Sequence, residues 1–134
     1  MTRLWRKDGD AFVEDTDFLA MNLKWAHRET TIDPLTVPVI DRHLPRHCGF
    51  CRFSKPWNDD PTRSWIQFNT EVQPLQIGPD RWPTQKKPGT YKAEIALTAD
   101  NCNPAYRDVL IDFTGEWFDD PAEIAQQSLK VTVV

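Results

Sequence analysis

The densest cluster of reactive side chains in the sequence is RHLPRHCGFC, which carries His43, His47, Cys48 and Cys51. Imidazole nitrogen and thiolate are good zinc ligands, and a CxxC turn can close two sulfurs on one ion. Zinc is therefore the one metal the sequence suggests, with His27 as a further ligand if the fold brings it alongside. The spacing weighs against a closed site. His47 and Cys48 are adjacent and all four groups share one short loop, whereas structural zinc sites usually draw on two separated pairs. A strand in which Cys51 packs inward and the histidines face water explains the same residues, and no cofactor is required. CGFC as a redox pair would need a helix directly after it to depress the thiol pKa, and the following RFSKPWNDDP cannot supply one because of Pro56 and the turn formers behind it.

Other chemistries find less. The acidic run Asp8, Asp10, Glu14, Asp15 and Asp17 lacks the glycine position of a calcium loop and reads as a turn with solvated carboxylates. Asp59-Asp60 and Asp119-Asp120 precede prolines and read as turn or cap residues rather than as a general acid and base. There is no Gly-rich phosphate loop and no G-x-S-x-G elbow. The tryptophans are more informative. Trp57, Trp65 and Trp82 lie in or beside Pro-rich loops, with Asn58, Asp60, Gln67 and Arg81 as polar neighbours. Exposed indole faces stack on sugar rings or on a partner's apolar residues. Buried, the same rings would plug the ends of a β-sandwich, the commoner fate of tryptophan.

These residues sit in a chain of 134 residues with a net charge of −4 and 40% hydrophobic residues, enough for one domain spanning 1–134. The acidic, interspersed charge offers no basic stripe for phosphates, so nucleic acid is a poor partner. No apolar run approaches the roughly 20 residues of a transmembrane helix, and MTRLWRKDGD lacks the apolar stretch of a secretory signal. Three cysteines, Cys48, Cys51 and Cys102, are an odd number and read as free thiols, which places the chain in the cytoplasm by default.

Eleven prolines leave few windows for a helix, so the positioning elements must be strands. LWRKDGDAFV reads as a hairpin with Asp8-Gly9 at its turn. Leu19, Met21, Leu23 and Trp25 alternate with Asn22 and Lys24 as a half-buried strand. Pro34, Pro38 and Pro45 confine 31–47 to loops or an edge, with a short strand around Val37, Val39 and Ile40. A short strand is expected over 49–53 and extended structure over 63–69, with Ile66 and Phe68 opposite Trp65 and Gln67. A long loop, QIGPDRWPTQKKPGT, follows. Tyr91, Ala93, Ile95, Leu97 and Ala99 then alternate with Lys92, Glu94, Ala96 and Thr98 in the strongest strand, which pairs antiparallel with a strand carrying Val109, Ile111 and Phe113. Asp119 or Asp120 caps one short helix near 120–127, with Pro121 at its first position, and Leu129, Val131 and Val133 share one face of a last strand. The count is about seven to nine short strands in an all-β, antiparallel sandwich or barrel.

The stretch PGTYKAEIALTADNCNP followed by VLIDFTGEW resembles the closing strands of bacterial immunoglobulin-like β-sandwich domains, in which a Pro-Gly-x-Tyr turn opens an alternating strand and the last hairpin ends near a Gly-x-Trp. The likeness covers 86–118, is weaker over the Asp-Gly hairpin and the LKW strand, and is absent over 31–62. It implies an immunoglobulin-like sandwich of unknown activity. A full sandwich of that kind would place one or two strands before the Asp-Gly hairpin, so an unpaired edge is expected, and with it a protein partner or a homodimer built by sheet extension. The chain reads as a binding protein rather than an enzyme. A non-catalytic accessory or protein-interaction module comes first, either the product of a mobile accessory gene or part of a longer protein. Carbohydrate or small-ligand binding through Trp57, Trp65, Trp82 and Arg81 is the alternative, and a metal or thiol protein built on the 43–51 loop is the third.

Overall fold

A computed structural model describes residues 1–18, 20–23, 50–71, 74–79, 82–99 and 101–134. Eight strands are defined among them: β1 (Thr2–Asp8), β2 (Ala11–Glu14), β3 (Cys51–Phe53), β4 (Ile66–Phe68), β5 (Gln85–Lys86), β6 (Gly89–Ala99), β7 (Cys102–Phe113) and β8 (Leu129–Val133). They form a five-stranded sheet in the order β2-β1-β6-β7-β8 and a three-stranded sheet in the order β3-β4-β5. All pairings between these strands are antiparallel. The all-β architecture expected from the proline spacing and the period-two runs is the one observed. The proposed strand around Val37–Ile40, Leu19 and Trp25 lie outside the described residues.

The first hairpin differs from expectation by one residue. Asp8 pairs with Ala11, so the two loop positions are Gly9 and Asp10, and of the two only Gly9 has positive φ, at +60°. A positive φ confined to the first loop residue is the type II′ pattern, which glycine adopts without steric cost. The chain enters the large sheet at an interior position, because β1 is flanked by β2 and β6 and Thr2 also bridges Met21. Among the described residues the edge on that side is therefore β2 and not the first strand.

The core lies between the two sheets. Leu4 from β1, Tyr91 and Ala93 from β6, and Val109, Ile111 and Phe113 from β7 meet Ile66 and Phe68 from β4, with Phe18 inserted from the turn after β2. Aromatic edges fasten this cluster: Phe68 contacts Phe18 and Phe50 at 5.3 and 5.4 Å between ring centroids. Phe53 contacts Phe113 and Trp117 at 5.0 and 5.4 Å. Such tilted pairs add to the area they bury. One end of the interface is closed by Gly115. Its φ of +82°, with Ser64 Oγ and the Pro61 carbonyl oxygen occupying the space where a Cβ would stand, leaves room for no other residue.

Strand reaches further along the chain than the alternation alone implies. β5 interrupts the long loop before β6, and β7 already begins at Cys102 and passes through Pro104. Proline is accommodated there because residues 102–107 are exposed, out beyond the body of the sheet. The short helix α1 (Pro121–Glu123) has Asp120 as its cap, accepting a bond from the Ala122 amide at 3.0 Å, and widens into a π-helical turn over Ile124–Ser128. This is the helix expected from the Asp-Pro signal.

Candidate functional site

The side chains that line a cleft beside the β1–β2 hairpin come from both sheets. The β1–β2 hairpin supplies Arg6, Asp8, Val13 and Glu14, and the turn behind it supplies Asp15, Thr16 and Asp17. The segment around β5 supplies Trp82, Gln85, Lys86 and Lys87, with Tyr91 at the start of β6. The cleft encloses about 720 Å³, within the size range of small-molecule sites. A smaller hollow of about 300 Å³ adjoins it at Thr16 and Asp17 and is lined with Met21, Pro74, Leu75, Ile77 and Pro83.

Strand register explains the cleft's chemistry. Lys86 is opposite Ile66 and so falls on the inward side of β5, where an ammonium would be stranded without a partner. Asp15 provides one: its Oδ2 lies 2.7 Å from Lys86 Nζ, and the two side chains are only 14% and 10% exposed. The other carboxylate oxygen accepts from the amides of Asp17 and Phe18 at 3.1 and 3.3 Å. The Asp15 amide in turn donates to the Leu4 carbonyl. Asp15 is thus not the solvated turn carboxylate expected from the acidic run but the link between the sheets. Tyr91 donates its hydroxyl to the Lys87 carbonyl oxygen at 2.6 Å, and burial pushes its phenol pKa up, so the ring stays neutral.

The tryptophans nominated by sequence part company. Trp82 is half-buried in the cleft, and its carbonyl accepts from the Gln85 amide. Trp57 is 68% exposed on a turn whose Asn58 and Asp59 both have left-handed φ, a conformation these two residue types tolerate. The Arg63 guanidinium lies 4.9 Å over its ring, so one indole face is already taken. Trp65, 48% exposed, directly precedes β4. In that turn Asp60 accepts from the Thr62 hydroxyl and amide at 2.7 and 3.0 Å, bonds that hold its carboxyl below the usual range. Arg81 lies outside the described residues.

Of the 43–51 cluster, His43, His47 and Cys48 lie outside the described residues. Cys51 sits in β3 opposite Phe68, half-buried against the core, and burial raises its thiol pKa to about 11. A thiol so held is protonated and packs as a small apolar group. Among the described residues no three His, Cys, Asp or Glu side chains come together as a metal site. No described helix is long and apolar enough to cross a membrane.

Lys86 and Asp15 are the site residues that sequence reasoning missed. One signal was available: in a β5 read as Gln85–Lys86, a lysine next to the buried register of Ile66 demands a carboxylate, and the acidic run held five candidates. Comparison of the chain with protein-family models, with curated proteins and with solved structures finds no match.

Proposed function

We propose that the protein is a non-catalytic binding module and that the cleft around Trp82 holds a small, polar, carbohydrate-class ligand. The observation that carries this reading is the composition of the cleft: one tryptophan among carboxylates, an arginine, lysines and a glutamine, within a volume suited to one or two sugar rings. An indole gives a flat apolar surface to a sugar's C–H face, and charged or amide groups around it bind hydroxyls. The adjoining hollow at Leu75 and Ile77 suits an apolar substituent. The non-catalytic part rests on how the carboxylates are used. Asp15 is engaged by Lys86 and two amides, and Glu14 by Arg3 at 3.7 Å. Two antiparallel sheets closing over one core also support an immunoglobulin-like sandwich, as the PGTY and TGEW segments suggested.

The test is intrinsic fluorescence against a panel of neutral and charged oligosaccharides, repeated with Trp82→Ala. A quench by at least one glycan, weakened about tenfold in affinity by the substitution, supports the reading. A flat response across the panel, or a quench that the substitution leaves untouched, refutes it.

A further inference from the structure

Among the described residues β8 is an edge strand, and its hydrogen-bonding pattern fixes which backbone groups it offers to a partner. The Thr114 amide donates to the Ser128 carbonyl, and the Val134 amide donates to the Asp108 carbonyl. With Lys130 opposite Asp112 and Thr132 opposite Leu110, these bonds fix the parity of the β7–β8 ladder. Even-numbered residues of this strand turn their backbone groups toward β7, Val131 and Val133 turn both of theirs outward, and Leu129 offers its carbonyl there while its amide donates to the Ile124 carbonyl. Among the described residues no strand pairs with that side. The side chains of the same three residues fall on the core-facing side of the large sheet, opposite Phe113, Ile111 and Val109, yet Val131 is 45% and Val133 67% exposed.

We infer that β8 pairs with β8 of a second copy of this chain, antiparallel and about a two-fold axis at Val131, to give one continuous ten-stranded sheet. In this register Val131 faces Val131 of the second copy, and Leu129 faces Val133 in both directions. The Val131 pair at the axis forms two hydrogen bonds, and each Val133 amide donates to the Leu129 carbonyl of the other copy, four bonds in all, the Leu129 amide being held by the Ile124 carbonyl. The alternatives are poorer. Shifting the axis to Lys130 sets two lysines directly opposite in the close, non-hydrogen-bonded arrangement, which like charges disfavour. Shifting it to Thr132 sets Leu129 opposite no residue of β8. With the axis at Val131, Lys130 instead stands between Asp112 of its own chain and a threonine of the other, a row without a like-charge contact. Edges that are meant to stay open carry prolines, bulges, inward charges or lysines, and of these LKVTV has only Lys130, which this register sets beside Asp112 and a threonine. The other described edges are less suited: β2 has four residues, and only Phe12 and Glu14 face outward. This dimer is independent of the Trp82 cleft.

The experiment is analytical ultracentrifugation of the full chain over a concentration series, with residue-resolved amide exchange. The expected result is a reversible shift from 15.6 kDa toward twice that mass. The amides of Val131 and Val133 become protected as concentration rises, while those of Leu129, Lys130 and Thr132 are protected throughout. Val131→Pro removes only an outward amide, and Val131→Lys places two charges at the axis. Each should raise the dissociation constant at least tenfold, whereas Val131→Thr should not. V131K is a change at an exposed position, and its melting curve verifies that the fold is intact should V131P fail to fold. A protein monomeric at all concentrations, a dimer that survives V131K, or amide protection that ignores concentration overturns the inference.

Discussion

Replacing either partner of the Lys86–Asp15 pair should have unequal consequences, and the inequality follows from the geometry. Breaking a fully buried ion pair by removing one member costs about 3–5 kcal/mol, because the survivor keeps its charge without compensation. Here both side chains retain slight exposure, which lowers the figure. In Asp15→Asn the amide oxygen still accepts from the Asp17 and Phe18 amides, so the turn survives and the Lys86 ammonium is left in the inter-sheet wall. We expect a loss of about 2–3 kcal/mol. In Lys86→Met the cation leaves, a chain of similar length fills its track, and the Asp15 carboxylate keeps two amide donors. About 1 kcal/mol is expected. The double variant should resemble K86M, giving a coupling of about 2–3 kcal/mol, the whole cost of D15N. Urea unfolding followed by circular dichroism and tryptophan fluorescence measures all four, with the m-value held constant as the check that only stability has changed. If K86M costs as much as D15N, or if the two effects add, the pair behaves as a screened surface contact and the linking role assigned to it is wrong.

Gly115→Ala should cost at least about 3 kcal/mol, because a left-handed φ is combined with contacts that a methyl group cannot share. Gly9→Ala should cost only about 1 kcal/mol, since nothing lies within 4 Å of its built Cβ; equal losses in thermal melts would show that backbone conformation alone matters at Gly115. Brief alkylation at neutral pH with peptide mapping should label exposed Cys102 and spare Cys51 until urea is added. The Cys51 pKa is raised in the folded state, so its contribution to stability is complete below the ordinary thiol value of about 8.5 and is lost as pH rises toward about 11. Cys51→Ala should flatten that decline, and an unchanged alkaline profile would count against the burial of the thiol.

Much of the fold was legible because alternation and turn chemistry are local. Ile66 and Phe68 are buried while exposed Trp65 and half-exposed Gln67 flank them, and Asp120-Pro121 starts the helix where the sequence placed it. The turn at Gly9 was displaced by one residue because Asp-Gly and Gly-Asp overlap in DGD, and only the register of the flanking strands decides between them. The site was far less legible. Trp57, Trp65 and Trp82 are equivalent in sequence terms, each a tryptophan near prolines, and it is the docking of the β1–β2 hairpin against β5 that puts Trp82 alone of the three in the cleft. The Lys86–Asp15 pair joins residues 71 positions apart (86 − 15), a separation over which no periodicity carries information.

Alternation states which way a side chain points, and what lies on that side is a property of lengths. Along β6 the inward-facing residues run from buried Tyr91 and Ala93 through half-buried Ile95 to Leu97, which is 49% exposed although its pattern is unbroken. The opposing sheet is the reason. Its strands of two or three residues span about 10 Å, while the 11 residues of β6 span about 36 Å. The described part of the small sheet therefore covers only the middle of the large one, and its apolar register emerges uncovered at the β6–β7 tip and along β8. The β6–β7 tip ends in exposed polar and charged residues such as Asn103 and Arg107. Along β8 the uncovered residues are Val131 and Val133, side chains that a strand partner would bury at once with the outward backbone groups. The same shortfall in length that defeats a burial forecast from pattern thus places the dimer edge where the sheet has both apolar side chains and backbone groups left to pair.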